Sequence, residues 1–245
     1  MDFQFYAERP QHIVGDVLML PQKGSTSGGS KRPLNSWAIL RGEPSRGEGY
    51  SVLFDAPYSW TLDGIARLAD EGRPPRALVL SHRNTAGSGD AFETILSRFD
   101  VPVMLHPSDA AHDEARESGI DFVDPTGSTL LEKAGLECIH VPGHTAGSIM
   151  LYLAEQGGIL LAGDAAVGPG PEQNPDEPVL QRPKMSAEAE RTFVPAWHRA
   201  AASLPIAAVL PLHGRPWLAS EVGEARFATL LAEVSSGAAM DPSRT

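Results

Sequence analysis

Apolar residues follow two rhythms along the chain. Short extended runs at 3–7, 13–20, 37–40 and 50–54 alternate with Gly-, Ser- and Pro-rich segments, the pattern of antiparallel strands joined by turns. Residues 21–33, PQKGSTSGGSKRP, are too polar and glycine-rich to pack, which predicts an exposed, mobile hairpin tip able to cover a site. From residue 60 a helical rhythm enters. Leu62, Ile65, Leu68 and Ala69 recur at helical spacing within 60–71, and Gly72, Pro74 and Pro75 end the segment. A strand at 77–80 follows. Phe92, Ile95, Leu96 and Phe99 then form an i, i+3, i+4, i+7 stripe, with Asp90 and Glu93 as a capping box at its start.

Strands at 101–105, 136–141, 149–153 and 159–162, with a short helix at 108–117 ended by Gly119, complete the middle. Residues 168–183 read as loop. Phe193, Ala196, Trp197, Ala200, Ala201 and Leu204 share one helix face, with Pro195 in its first turn or at a kink. A strand at 206–210 precedes a last helix at about 220–234, and the tail beyond is expected to fray. The alternation has no fixed period, so no internal repeat is expected.

Composition narrows the class. With 245 residues and 42% hydrophobic positions, the chain is expected to form one domain over 1–245. Lys+Arg 20 against Asp+Glu 31 gives a net charge of −11. Such a surface repels phosphate backbones and anionic lipid, so neither nucleic acid nor membrane is an expected partner. The single cysteine, Cys138, excludes an intramolecular disulfide and a cysteine-based zinc knuckle, and points to a reducing compartment. No stretch approaches the roughly 18 apolar residues of a membrane span, and the first twenty residues lack a basic start followed by an apolar run. A cytoplasmic protein acting on a small molecule is expected.

Four polar residues follow apolar runs and precede or neighbour a glycine: His82 after ALVLS, His144 in VPGHTAGS, Asp164 in ILLAGD and His213 in AVLPLHG. A tight turn after a strand points such a side chain out of the sheet edge. One histidine so placed is more often a hydrogen-bonded loop residue than a ligand. Three imidazoles and a carboxylate converging from four strand ends form a metal-site inventory.

At these residues the chain resembles the metallo-β-lactamase superfamily. NSWAIL, SVLFDAP, LVLSH, VPGHTAGS, LLAGDA and PLHG occur in the family's order over most of the length. The resemblance implies an α/β fold, a four-layer αββα sandwich with its site along one edge. It also exposes a departure. Two-metal members carry His-x-His-x-Asp-His where this chain has His82, Arg83, Asn84, Thr85, Ala86 and Gly87. In the family pattern the first metal takes both His-x-His imidazoles and the His144 position. The second takes the Asp-His pair and the His213 position, and the Asp164 position bridges. The second site therefore keeps only Asp164 and His213, and is expected to be empty. The first keeps His82, His144 and Asp164, a 2-His-1-carboxylate set for one zinc or iron ion per chain, or none.

Asn84 could add a weak carbonyl contact, and Arg83 could bind a substrate carboxylate, occupy the missing metal's space or simply be solvated. His12, His106, His112, His140 and His198 fall outside the motifs and read as structural or surface residues. Asp90 reads as a helix cap, and Met150, Trp197 and Trp217 as core or pocket wall. The leading expectation is a divergent hydrolase of this fold, in which Asp164 and the retained histidines activate one water against an ester, thioester or lactone. The alternatives are a mononuclear iron oxygenase of the persulfide dioxygenase type and a non-catalytic ligand-binding domain.

Overall fold

Strand alternation sorts the side chains of this protein into three stacked apolar layers. The computed structural model describes residues 3–23, 33–174 and 177–237. One sheet holds β1 (Gln11–Val14), β2 (Val17–Met19), β3 (Trp37–Arg41), β4 (Tyr50–Phe54), β5 (Pro75–Val79), β6 (Val103–Met104) and β7 (Phe122–Val123), side by side in chain order. Its pairings are antiparallel from β1 to β4 and parallel from β4 to β7. The second sheet contains β8 (Leu136–His140), β9 (Ile149–Leu153), β10 (Ile159–Val167), β11 (Ala208–His213) and β12 (Trp217–Leu218), in the spatial order β12-β11-β10-β9-β8. Only its β10–β11 pairing is parallel.

β9 shows how the layers arise. All five of its residues are buried. Ile149, Leu151 and Leu153 face the other sheet together with Trp37, Ile39, Val52, Phe54, Val79, Leu161 and Leu210. Met150 and Tyr152, pointing the opposite way, pack beneath Phe193, Trp197, Phe227 and Leu230. Those last four lie on α7 (Ala187–Ser203) and α9 (Glu224–Ser236), which cover the second sheet. On the far side of the first sheet, Leu53, Leu78 and Leu80 meet Ile65 and Leu68 of α1 (Leu62–Asp70), then Ala86 of α2 (Arg83–Ser88) and Ile95 of α3 (Phe92–Phe99). The layers run helix, sheet, sheet, helix. α4 (Pro107–Ala110), α5 (Asp113–Arg116), α6 (Thr129–Lys133) and α8 (Ala219–Val222) are single turns between larger elements. No helix among the described residues is long and apolar enough to cross a membrane.

Several elements depart from the pattern-based expectation. Residues 3–7 form no strand, since Tyr6 has φ 57 and breaks the extension. The run at 13–20 divides into the hairpin β1–β2, because Gly15 takes φ 52 and pairs Val14 with Val17. Segment 83–88, which carries no apolar period, is helical. The helix expected at 108–117 splits into α4 and α5, and β10 continues to Val167, so Asp164 lies inside a strand. Pro195 sits mid-helix in α7, whose N-cap Ser186 accepts from Ala189 N. Asp90 does not cap α3. Its Oδ1 accepts from Ser59 N at 2.6 Å and its Oδ2 from Ser59 Oγ at 2.8 Å, a partner 31 residues away, and α3 starts after Ala91 without a side-chain cap. Of the expected hairpin tip, 24–32 lie outside the described residues, as does the tail from 238.

Candidate metal centre

Two sets of inter-sheet hydrogen bonds flank one edge of the sandwich. On one side Ile149 N, at the start of β9, donates to Ser81 O beyond β5 at 2.9 Å. On the other, buried Asn35 donates through Nδ2 to Pro211 O at 2.8 Å and Gly214 O at 2.7 Å, and its backbone N bonds Leu212 O. These bonds tie the segment after β5 to the start of β9, and the segment before β3 to the end of β11, along one rim.

His82 leaves β5 as the residue before α2 and is only 3% exposed. His144 stands in the β8–β9 turn, its side chain 22% exposed, and Asp164 reaches in from β10 at 10%. The ligand atoms of these three residues all lie within 4.8 Å of one another. His144 Nε2 is 3.3 Å from Asp164 Oδ2, and the His82 and His144 rings meet edge-on with centroids 4.8 Å apart. His213 ends β11, and the ligand atoms that converge within this distance are those of His82, His144 and Asp164.

The local sequence explains the convergence. Gly163 has φ 52, and a Cβ there would stand 2.4 Å from Ser81 Cβ. Only glycine lets the two sheets approach so closely at this point. Ser81 in turn seats His82: its Oγ is 2.8 Å from His82 Nδ1, and its backbone N donates to Asp55 Oδ1 at 2.7 Å. With Nδ1 engaged by the hydroxyl, Nε2 is the nitrogen left for a ligand. Burial pushes the His82 imidazole down to about 3, with His144 adding to the effect against the pull of Asp164 and Asp109. It is therefore neutral at pH 7, the state in which a histidine binds metal. Burial raises the Asp55 carboxyl to about 7, partly offset by the Ser81 hydrogen bonds and reinforced by the nearby Asp164 charge.

The residues present fit one divalent ion. Donors about 2.0–2.1 Å from a tetrahedral ion lie about 3.3 Å apart, which is the His144–Asp164 separation. Asn84 Nδ2 also stands 3.3 Å from His144 Nε2. An unprotonated Nε2, the form that binds a metal, can accept from that amide, whereas a protonated one can donate to Asp164.

Arg83 points elsewhere. Its Nη1 is 3.2 Å from Asp109 Oδ1 and its Nε 3.2 Å from Glu114 Oε2. Asp109, wholly buried on α4, also accepts from Arg83 N, Thr145 Oγ1 and Gly147 N. Asn35, Asp55 and Ser81 stand inside the segments NSWAIL, SVLFDAP and LVLSH, but neither they nor Asp109 stand out in the sequence as site residues. The motif HPSDA around Asp109 reads as an ordinary helix start, and its partners are 26 to 38 residues away. The remaining motif positions face away from the rim. Ala86 is buried under the helical layer, and an added Cβ at Gly87 would meet Glu114 Cβ at 3.7 Å. His106 and His140 stack outside the rim, centroids 4.1 Å apart.

A sequence model of the metallo-beta-lactamase superfamily matches residues 32–213. The chain belongs to that superfamily. Solved metallo-β-lactamases share its fold. The enzyme from Hirschia baltica superposes with a TM-score of 0.58 at 21% identity, covering 90% of this chain and 96% of its own. The one from Pontibacter korlensis gives 0.60 at 19% identity, covering 91% and 98%. The Pseudomonas aeruginosa enzyme FIM-1, solved in a mono-zinc form, gives 0.58 at 19% identity, covering 92% and 95%. A comparison with curated proteins finds no match. Membership accounts for the four layers and for the sheet edge that carries the rim.

Proposed function

We propose that this metallo-β-lactamase-fold chain is a hydrolase of a small ester, thioester or lactone that works with one divalent ion, held by His82, His144 and Asp164. The observation that carries this reading is the approach of their ligand atoms to within 4.8 Å, with a neutral buried histidine at its base. When bound, such an ion supplies a Lewis acid for the substrate carbonyl and an activated water. Asp164, itself one of the three ligands, would use the carboxylate oxygen that the ion leaves free to take the proton of the attacking water and return it to the leaving alcohol or thiol. His82 is too buried to exchange protons with solvent and acts as a fixed support.

Asn84 is exposed on α2 and turned to His144, where its amide can hold the substrate carbonyl. Arg83 is paired with Asp109 and Glu114, so a substrate carboxylate reaches it only by displacing an ion pair. A single ion is favoured because Asp164 and His213 alone are fewer than the three protein ligands of a catalytic zinc. FIM-1 in its mono-zinc form supplies a precedent for single occupancy on this fold. The negative surface and lone cysteine support a cytoplasmic small-molecule enzyme.

The test is elemental analysis of protein purified without added metal, followed by a panel of esters, thioesters and lactones before and after chelation. One zinc per chain and chelator-sensitive hydrolysis are expected. Iron with oxygen consumption and no hydrolysis would move the assignment to an oxygenase, for which the same 2-His-1-carboxylate set is suited. A metal-free protein without turnover would leave a ligand-binding domain.

A further inference from the structure

Asp109 is fully buried, and its hydrogen bonds go to Arg83, Thr145 and Gly147 rather than to the three ligands. Its carboxylate accepts four hydrogen bonds. Oδ2 takes Arg83 N at 2.9 Å and Thr145 Oγ1 at 2.5 Å, and Oδ1 takes Gly147 N at 2.9 Å and Arg83 Nη1 at 3.2 Å. Arg83 directly follows His82 and Thr145 directly follows His144. One rigid group thus grips the residue next to each histidine, on two segments that the chain itself joins only through 61 intervening residues, 83–143.

The grip is built into the surroundings. A Cβ at Gly147 would stand 2.7 Å from both Asp109 Cβ and Cγ, so that position is held open for the carboxylate. Ser148 Oγ accepts from Thr145 N at 2.9 Å and lies 2.8 Å from Thr145 Oγ1, fixing the hydroxyl that Asp109 receives. Arg83 balances the buried charge and is itself braced by Glu114. A carboxylate whose oxygens are satisfied in this way is costly to replace and stiff in place.

We infer that Asp109 is a positioning residue whose carboxylate sets the spacing of His82 and His144, and with it the affinity of the site for a divalent ion. This rests on the reading that those histidines and Asp164 hold one ion. Outer groups that orient metal ligands typically change affinity roughly 10–100-fold when removed. A carboxylate serving only the fold would change stability and leave affinity alone.

The full chain is titrated with zinc against a chelating dye, and its cobalt absorption spectrum is recorded, for the wild type and four variants. Asp109→Asn presents an amide N–H to donors, and Thr145→Val keeps the shape of residue 145 without its hydroxyl. Both should weaken zinc binding at least about tenfold and alter the cobalt spectrum. Thr145→Ser, which keeps the hydroxyl, should stay within about twofold of wild type. Leu151→Ala lowers stability from the inter-sheet core, away from the site, and should also stay within about twofold. If Asp109→Asn does not fold, Thr145→Val against Thr145→Ser decides alone. Unchanged affinity in the Asn and Val variants while the wild type binds zinc overturns the inference and leaves the metal assignment standing. An affinity loss in Leu151→Ala as large as theirs also overturns it. A wild type that binds neither zinc nor cobalt removes the metal assignment, and this inference with it.

Discussion

Asn84 Nδ2 stands 3.3 Å from His144 Nε2, the nitrogen that also lies 3.3 Å from Asp164 Oδ2. An amide therefore occupies the place beside the ligand set where a third imidazole could act. Asn84 is exposed, and its helix holds it toward the site without crowding. Asn84→His should add a donor to the same ion and tighten zinc binding about tenfold or more, about 1.4 kcal/mol. Competition titration measures this directly, and an affinity equal to wild type would show that α2 does not present residue 84 to the ion.

The two other positions that differ from the family motif behave differently. Ala86 is 2% exposed among Leu80, Ile95 and their neighbours. Ala86→Asp buries a carboxylate there without a partner and should cost about 3 kcal/mol or more. Gly87 has no positive φ, and a Cβ at that position makes an ordinary contact with Glu114. Gly87→His should therefore fold, with its ring on the Glu114 side of α2 that Arg83 also uses. Denaturant unfolding separates the two costs. The triple variant with Asn84→His should not reach two ions per chain, and elemental analysis showing two would refute this orientation of α2.

These contrasts show what the sequence makes legible. His82, His144, Asp164 and His213 stand out because each comes after an apolar run, and the last three adjoin a glycine, both of which are local signals. The four layers are legible only through the family resemblance, since the alternation of strands and helices, the β9 run and the α7 stripe included, fits other α/β folds as well. Asp109 and Asn35 are not, since their meaning lies in partners 26 to 38 and 176 to 179 residues away. Asp90 misleads for the same reason: a capping sequence is outcompeted by Ser59, which offers both a backbone and a side-chain donor. β7 and β12, at two residues each, are too short to carry a period.

Close approach of the sheets at Gly163 gives a third prediction. Gly163→Ala adds a Cβ 2.4 Å from Ser81 Cβ at a backbone with φ 52, so both sterics and conformation oppose it. About 2 kcal/mol or more of stability should be lost. Because Ser81 seats His82, zinc affinity should fall as well. Ser81→Gly introduced into Gly163→Ala should recover part of the stability, since it removes the clashing atom, without recovering the affinity that Ser81 Oγ supports. Purely additive stabilities in the double-mutant cycle would show that the two residues do not meet.

The last prediction concerns acid. His106 and His140 stack nearly parallel, 10° from coplanar with centroids 4.1 Å apart. His106 Nδ1 accepts from Ser108 N at the start of α4, and His140 Nε2 is 2.9 Å from Ala146 O in the turn that carries His144. Partial burial, followed by the neighbouring His140, holds His106 below its ordinary value of 6.5, while Asp124 and Asp109 pull the other way. A histidine whose value is lowered by folding favours the neutral form in the folded state. Its contribution is present above pH of about 6.5, the unfolded value, and is lost as pH falls through the lower folded value. His106→Asn keeps an acceptor for Ser108 N and removes the titrating ring. Between pH 7.5 and 5.5 the wild type should therefore lose more unfolding free energy than His106→Asn, as measured in urea at each pH. Equal losses in the two proteins would mean that the stack carries no acid-sensitive share of the stability.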